Sequence, residues 1–260
     1  MIDLKGKTAV VFGLANKRSI AWGIAQQLHA AGATLAIGYQ NERLKLEAQG
    51  LIDELPSSPS QAVTGFQCDV SSDAEIDSVF AALKEQHGKI DILVHAIAFA
   101  LPADLKGEFL NTSREGFRIA HEVSVYSLIA LSRAAAPLMT EGGSILTLTY
   151  LASERVVPHY NVMALAKASL EATVRYLAYE LGAKNIRVNA ISAGPINTLA
   201  ARGVGDLSTM RSAQVERSPL HRNVDQSEVG GTALFLASPL ASAVTGETIY
   251  VDCGFNIMGF

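Results

Sequence analysis

TAVVFGLANKRSIAWGIAQQLHAA, residues 8–31, sets the fold. Its first half, TAVVFG, is a short run rich in β-branched residues that stops at Gly13. From Ser19 to Ala31, Ile20, Ile24 and Leu28 recur at the spacing of one helix face. A strand, a glycine turn and a helix in that order open an α/β unit. The pattern then repeats along the chain. TLAIGY (34–39) predicts a second strand, residues 41–55 a charged amphipathic helix, and AVTGFQCDV (62–70) a third strand. Asp73 to His87 predicts a helix, ILVHAIAF (92–99) a fourth strand, and Arg114 to Met139 one long helix. SILTLTYL (144–151), a helix over 159–182, IRVNAIS (186–192), a helix over 225–237 and ETIYVD (247–252) complete the set. Apolar strands alternating with amphipathic helices imply a parallel sheet covered on both faces. Right-handed crossovers make it a doubly wound, Rossmann-type α/β sheet of about seven strands in one domain over 1–260. In such sheets ligands gather at the C-terminal ends of the strands.

Composition narrows the function. The chain has 260 residues, 49% of them hydrophobic, enough for a sizeable core, and no apolar run of membrane-spanning length. A net charge of −4 gives no footprint for nucleic acid or an anionic membrane. The start, MIDLKGKTAVVFG, lacks a signal-peptide pattern, and two cysteines, Cys68 and Cys253, make no disulfide framework. A cytoplasmic protein is expected. No metal site is expected, because His95 and His159 lack ligand spacing to other donors.

The chemistry-bearing pattern is Tyr150, Tyr160 and Lys167, the last two inside the expected helix YNVMALAKASLEATVRYLAYELG. A seven-residue step turns a helix by about 700°, so Tyr160 and Lys167 should share a face. A phenol is a poor acid at neutral pH, and a neighbouring cation should lower its pKa. Such a pair could stabilise an oxygen that turns negative during reaction. Spacing alone is equally met by a packing tyrosine and a solvated lysine. In the first turn, Gly13 allows close backbone approach and Ser19 can cap the helix or bond a phosphate. The pattern is not G-x-G-x-x-G, since Ala15 and Arg18 interrupt it, and an ordinary strand–helix turn fits as well. At the end of the second strand stands Gln40, followed by Asn41, Glu42 and Arg43. A 2′-phosphate would meet little positive charge there, which favours NADH over NADPH.

Together these residues carry a resemblance. GLANKRSIAWGIA (13–25), CDV (68–70), HAIAFA (95–100), YNVMALAKASLEA (160–172) and RVNAISAGPINTLAA (187–201) resemble the short-chain dehydrogenase/reductases. The six-residue gap between Tyr160 and Lys167, with Ala164 where ordinary members carry lysine, resembles the divergent branch that holds the bacterial enoyl-[acyl-carrier-protein] reductases. The resemblance covers nearly the whole chain. It implies NADH-dependent reduction of a trans-2-enoyl thioester on acyl carrier protein, and a homotetramer. It makes Tyr160 the donor to the enolate oxygen, Lys167 the holder of the nicotinamide ribose, and Tyr150 a second tyrosine beside the thioester. Gly13, Ser19 and Ile20 would meet the pyrophosphate, Gln40 the adenosine ribose, and Asp69 and Val70 the adenine. Ile97 would line the path to the nicotinamide, Ile196, Asn197, Thr198, Leu199 and Ala200 would clamp the carboxamide and phosphate, and Ala100 would touch the acyl thioester. Asp69 also suits a plain turn before Ser71 and Ser72.

Residues 196–222 resemble the family's mobile substrate loop. The family's basic cluster there is replaced by Gly205, Ser208 and Thr209, with Arg202, Arg211, Arg217 and Arg222 as substitutes for meeting the carrier, or as merely solvated charges. Two other functions compete. A 3-oxoacyl or other carbonyl reductase would need a serine near position 147, where this chain has Thr147. A catalytically dead NAD-binding regulator has no need of Tyr160 and Lys167.

Overall fold

A computed structural model describes residues 2–199, 201 and 207–259. Seven strands form one parallel sheet: β1 (Thr8–Phe12), β2 (Thr34–Tyr39), β3 (Val63–Gln67), β4 (Ile92–His95), β5 (Gly143–Thr149), β6 (Ile186–Ala193) and β7 (Thr248–Val251). Their order is β3-β2-β1-β4-β5-β6-β7, so the chain reverses direction across the sheet between β1 and β4. That reversal opens a crevice at the strand ends.

Helices α1 (Ile20–Ala30) and α2 (Glu42–Asp53) cover one face with α8 (Gln226–Ala237), and their buried side chains join Val11, Leu35 and Ile191 in one core. The other face carries α3 (Asp73–His87), α5 (Ser127–Ala135) and α6 (Val162–Gly182) over Val10, Leu93 and Ile145. Helix α1 meets α8 backbone to backbone. A Cβ on Gly23 would fall 2.5 Å from the Gln226 carbonyl, and one on Gly230 the same distance from the Gly23 carbonyl. The second glycine of the first turn therefore serves helix packing.

Several boundaries differ from the sequence expectation. The single long helix over 114–139 is α4 (Arg114–His121), a π turn over Glu122–Tyr126, and α5. The π turn presents Ser124 to the chain after β4, where its hydroxyl meets both the amide and the carbonyl of Phe99. Strand β4 stops at His95 rather than Phe99, because Ala96 turns its carbonyl toward Gly13 and Phe99 gives its backbone to Ser124. Helix α6 begins at Val162 rather than residue 159. His159 and Asn161 take φ angles of 64° and 42°, so Tyr160 sits in a turn before the helix.

The expected loop over 196–222 also contains a helix, α7 (Leu207–Arg217). Its single buried residue is Gln214, which donates to the Asp252 carbonyl at 3.1 Å, while Arg211 donates to the Pro195 carbonyl. Polar anchors of this kind leave no apolar stripe for a periodicity argument to find. Ala200, Arg202, Gly203, Gly205 and Phe260 lie outside the described residues.

Candidate active site

The crevice begins at Gly13. Its φ of +103° is open to glycine, and any Cβ would land 2.1 Å from the Ala96 carbonyl. Only glycine lets the chain leave β1 while touching the end of β4. Ser19 occupies the N-cap position of α1, but its hydroxyl turns back to accept from the amides of Ala15 and Asn16, at 3.1 and 3.0 Å. It therefore braces the turn rather than capping the helix, and its own proton remains for a ligand. Ile20 is the first residue of α1 and is half-buried.

The adenosine side is drawn together by side chains. Gln40, after β2, donates to the Asp69 carboxylate at 3.2 Å. Asp69 also accepts from the amide and hydroxyl of Ser71, and Val70 beside it is buried in the core. Burial raises the Asp69 pKa, but the Ser71 and Gln40 hydrogen bonds outweigh it and hold the carboxyl below its ordinary value. Asp69 thus serves the turn and stands at the crevice at once. Glu42 is paired with Lys45 at 2.9 Å, and Arg43 is exposed. The unneutralised negative charge beside Gln40 is Asp69.

The reactive end lies beyond β5. Tyr150 follows the strand and Tyr160 precedes α6, and their rings pack at 4.9 Å between centroids and 52° between planes. Lys167 is 5% exposed, and its ammonium donates to the Leu148 carbonyl at 2.7 Å. An ammonium has three N–H donors, so two remain for a ligand among the described residues. Two donors on one charge suit a pair of vicinal hydroxyls. This fits a nicotinamide ribose, as the Gln40–Asp69 pair fits the adenosine end.

Charge at this end does not follow the sequence expectation. Burial, and Tyr150 after it, pushes the Tyr160 phenol well above its ordinary range. Tyr150 is pushed up to about 12 by burial and by Asp252. The expected lowering by the lysine does not occur: the causes that act on the phenol are the lost hydration of a buried phenolate and Tyr150, and both raise it. Both phenols stay protonated, as hydrogen-bond donors must. Lys167 is pulled down to about 8 by burial, against the pull of Glu171.

The remaining candidates divide. Ile97 is half-buried against the core, and Ile196 is buried on the opposite face of the sheet. Asn197 and Leu199 are exposed, and the Thr198 hydroxyl accepts from the Ala201 amide at 3.0 Å. Ala100 is 8% exposed and belongs to the core, so its side chain does not stand open to a substrate. Arg222 pairs with Glu228 at 2.6 Å at the surface, and Arg217 is exposed.

Thr147 settles into the interior. It is fully buried, with its hydroxyl 2.8 Å from His95 Nδ1, while Ser127 meets Nε2 at the same distance. Burial, with Lys167 second, pulls His95 down to about 3, so the ring is neutral. Sequence reasoning missed His95, Ser124, Ser127 and Gln214 as supports, since buried hydroxyl and imidazole partners have no periodic signature. Glu171, four residues after Lys167, stands at a spacing that the sequence shows.

Comparison with known proteins agrees with this geometry. Residues 13–256 match the family model described as enoyl-(acyl carrier protein) reductase. An enoyl-[acyl-carrier-protein] reductase (NADH) from Nostoc sp. is 56% identical over 100% of both chains. A Staphylococcus aureus enoyl-[acyl-carrier-protein] reductase (NADPH) is 51% identical over 98% of this chain and 99% of its own. The crystal structure of the Bacillus cereus enoyl-acyl carrier protein reductase with NADP+ and indole naphthyridinone superposes with a TM-score of 0.96 at 54% identity, covering 100% of both chains.

Proposed function

The chain belongs to the enoyl-(acyl carrier protein) reductase family, and on that premise we propose that Tyr160, Tyr150 and Lys167 carry its reaction. The protein is an oxidoreductase that reduces a trans-2-enoyl thioester on acyl carrier protein to the saturated acyl thioester in fatty-acid synthesis. NADH supplies the hydride, which goes to the β-carbon. The observation that supports the roles most directly is the Tyr150–Tyr160 ring pair at the end of β5, beside a buried Lys167 with donors to spare.

Negative charge grows on the thioester oxygen as the enolate forms. Tyr160, kept protonated by burial, donates a hydrogen bond to that oxygen. Lys167 holds the ribose hydroxyls through its two remaining donors and keeps positive charge nearby. Tyr150 walls the pocket beside the thioester. A proton reaches the α-carbon from solvent or through a relay. Gly13, Ser19 and Ile20 hold the pyrophosphate, Gln40, Asp69 and Val70 the adenosine, and Ile97 with residues 196–199 the nicotinamide. The segment over 196–222, which includes α7, closes over the substrate, with Arg217 toward the carrier.

A carbonyl reductase is disfavoured by Thr147, whose hydroxyl is spent on His95 inside the core. The substrate test offers purified protein and NADH either crotonyl or acetoacetyl thioester. NADH loss with crotonyl thioester alone supports the assignment, and loss with acetoacetyl thioester alone overturns it.

The family contains both cofactor preferences, so this chain's own residues decide. Here a 2′-phosphate would meet the Asp69 carboxylate through Gln40, with only Arg43 to compensate. We expect kcat/KM for NADH to exceed that for NADPH by about fivefold or more, since one like-charge contact costs on the order of 1 kcal/mol or above. Gln40→Arg should shift preference toward NADPH by pairing the phosphate. Equal use of both cofactors would show that Arg43 reaches the phosphate.

A homotetramer is the expected assembly in the cytoplasm. Tyr176 and Tyr179 on α6 are 78% and 89% exposed, and Ile257 in the tail 71%. Aromatic and aliphatic surface of that kind calls for cover by other copies. Light scattering at micromolar concentration should give four chains, and a monomer would reject the expectation.

A further inference from the structure

We propose that Glu171, held in place by Thr149, is a positioning residue that keeps Lys167 charged and aimed at the cofactor. The inference rests on the role given to Lys167 above. Lys167 and Glu171 lie one helical turn apart on α6 and are 5% and 7% exposed. Buried charges one turn apart on a single face act on each other through a medium poorer in water than the surface. Two adjacent residues of β5 secure the two ends of this arrangement. Leu148 accepts from the lysine through its carbonyl at 2.7 Å, and Thr149 donates its hydroxyl to Glu171 Oε1 at 2.6 Å. The carboxylate is thereby fixed beside the lysine without meeting it in an ion pair, which leaves the ammonium's remaining donors for a ligand. A direct salt bridge would consume one of them.

The surroundings give Glu171 this task by elimination among the described groups. From β4, His95 is neutral and bonded to Thr147 and Ser127. From the chain after β5 and before α6, Tyr150 and Tyr160 are neutral phenols. From β7, Tyr250 is pushed up to about 12, chiefly by burial and by its hydrogen bond to Glu154. Asp252 spends its carboxylate on the amides of Gly254 and Asn256 and faces Tyr150. Burial pulls Lys167 down to about 8, and Glu171 is the group that resists it. Without that charge burial would act unopposed, and the ammonium would give up its proton at a lower pH.

Glu171→Gln keeps the shape and the acceptor for Thr149 but removes the charge. Its Lys167 should therefore titrate lower, and the alkaline limb of kcat/KM for NADH, which reports the free enzyme, should move down by about one pH unit. Near pH 6, where Lys167 is still protonated, the variant should retain about the wild-type rate. Glu171→Asp should recover most of the wild-type profile. Thr149→Val, which releases the carboxylate from its fixed place without removing it, should also move the limb, upward where the carboxylate then pairs with the ammonium and downward where it turns away, and an unmoved limb overturns the proposal even if Glu171→Gln fails to fold. NADH affinity measured by fluorescence across the same range should follow the same limb. Superimposable profiles for wild type and Glu171→Gln, or a loss equal at every pH, would overturn the proposal. Absence of turnover in the wild type with crotonyl thioester would instead remove the role of Lys167 on which it stands.

Discussion

Tyr160→Phe should lower kcat for a trans-2-enoyl thioester by about 10²-fold or more, the usual cost of deleting one donor to a developing oxyanion. NADH affinity should change far less, because the phenol stands beside the thioester and not among the cofactor's holders. The ring itself is retained, so the packing with Tyr150 at 4.9 Å survives and the fold is not at issue. The loss should appear in kcat and kcat/KM together, the signature of a contact made only in the transition state. A weakly activated acyl substrate is needed, because a highly reactive one masks the missing donor. Wild-type turnover of an enoyl-[acyl-carrier-protein] would remove Tyr160 from the chemistry.

Lys167→Ala should act on the cofactor first. Two charge-assisted hydrogen bonds and a fixed charge disappear together, each bond worth about 1.5–3 kcal/mol. NADH affinity should fall by about 10²-fold, and activity with it. The substitution also leaves Glu171 buried without its counter-charge, so a lower melting temperature is expected alongside. Lys167→Arg separates the effects. It restores the charge, but a planar guanidinium cannot keep the Leu148 contact and reach the ribose in the same way, so affinity should recover only in part. Normal NADH binding by Lys167→Ala in a fluorescence titration would contradict the role.

The order and type of the main elements are legible in the sequence because each apolar strand and helix stripe has its own period. The expected helix Asp73–His87 coincides with α3, Gln40 and Asp69 follow the ends of β2 and β3, and from the α6 side Tyr160 packs on Tyr150 while Lys167 reaches the Leu148 carbonyl of β5. What escapes is aperiodic. A π turn at Glu122–Tyr126 adds one residue to a helix whose composition does not change, so nothing marks it. The left-handed backbone at His159 and Asn161 moves Tyr160 out of α6, although neither residue is glycine. Helix α7 is tied down by the polar side chains of Gln214 and Arg211, a pattern that reads as loop. The Tyr160 shift has the opposite sign to the sequence expectation for a related reason. Spacing reveals a neighbouring cation, but burial is a property of the whole fold.

The most direct test of the account follows hydrogen into the product. Crotonyl thioester is reduced with NADH carrying deuterium at the transferred position of the nicotinamide, and in a second reaction with ordinary NADH in heavy water. The account predicts a saturated acyl thioester, with cofactor deuterium at the β-carbon in the first case and solvent deuterium at the α-carbon in the second. Deuterium at the carbonyl carbon, with the double bond retained, would contradict it and make the protein a carbonyl reductase.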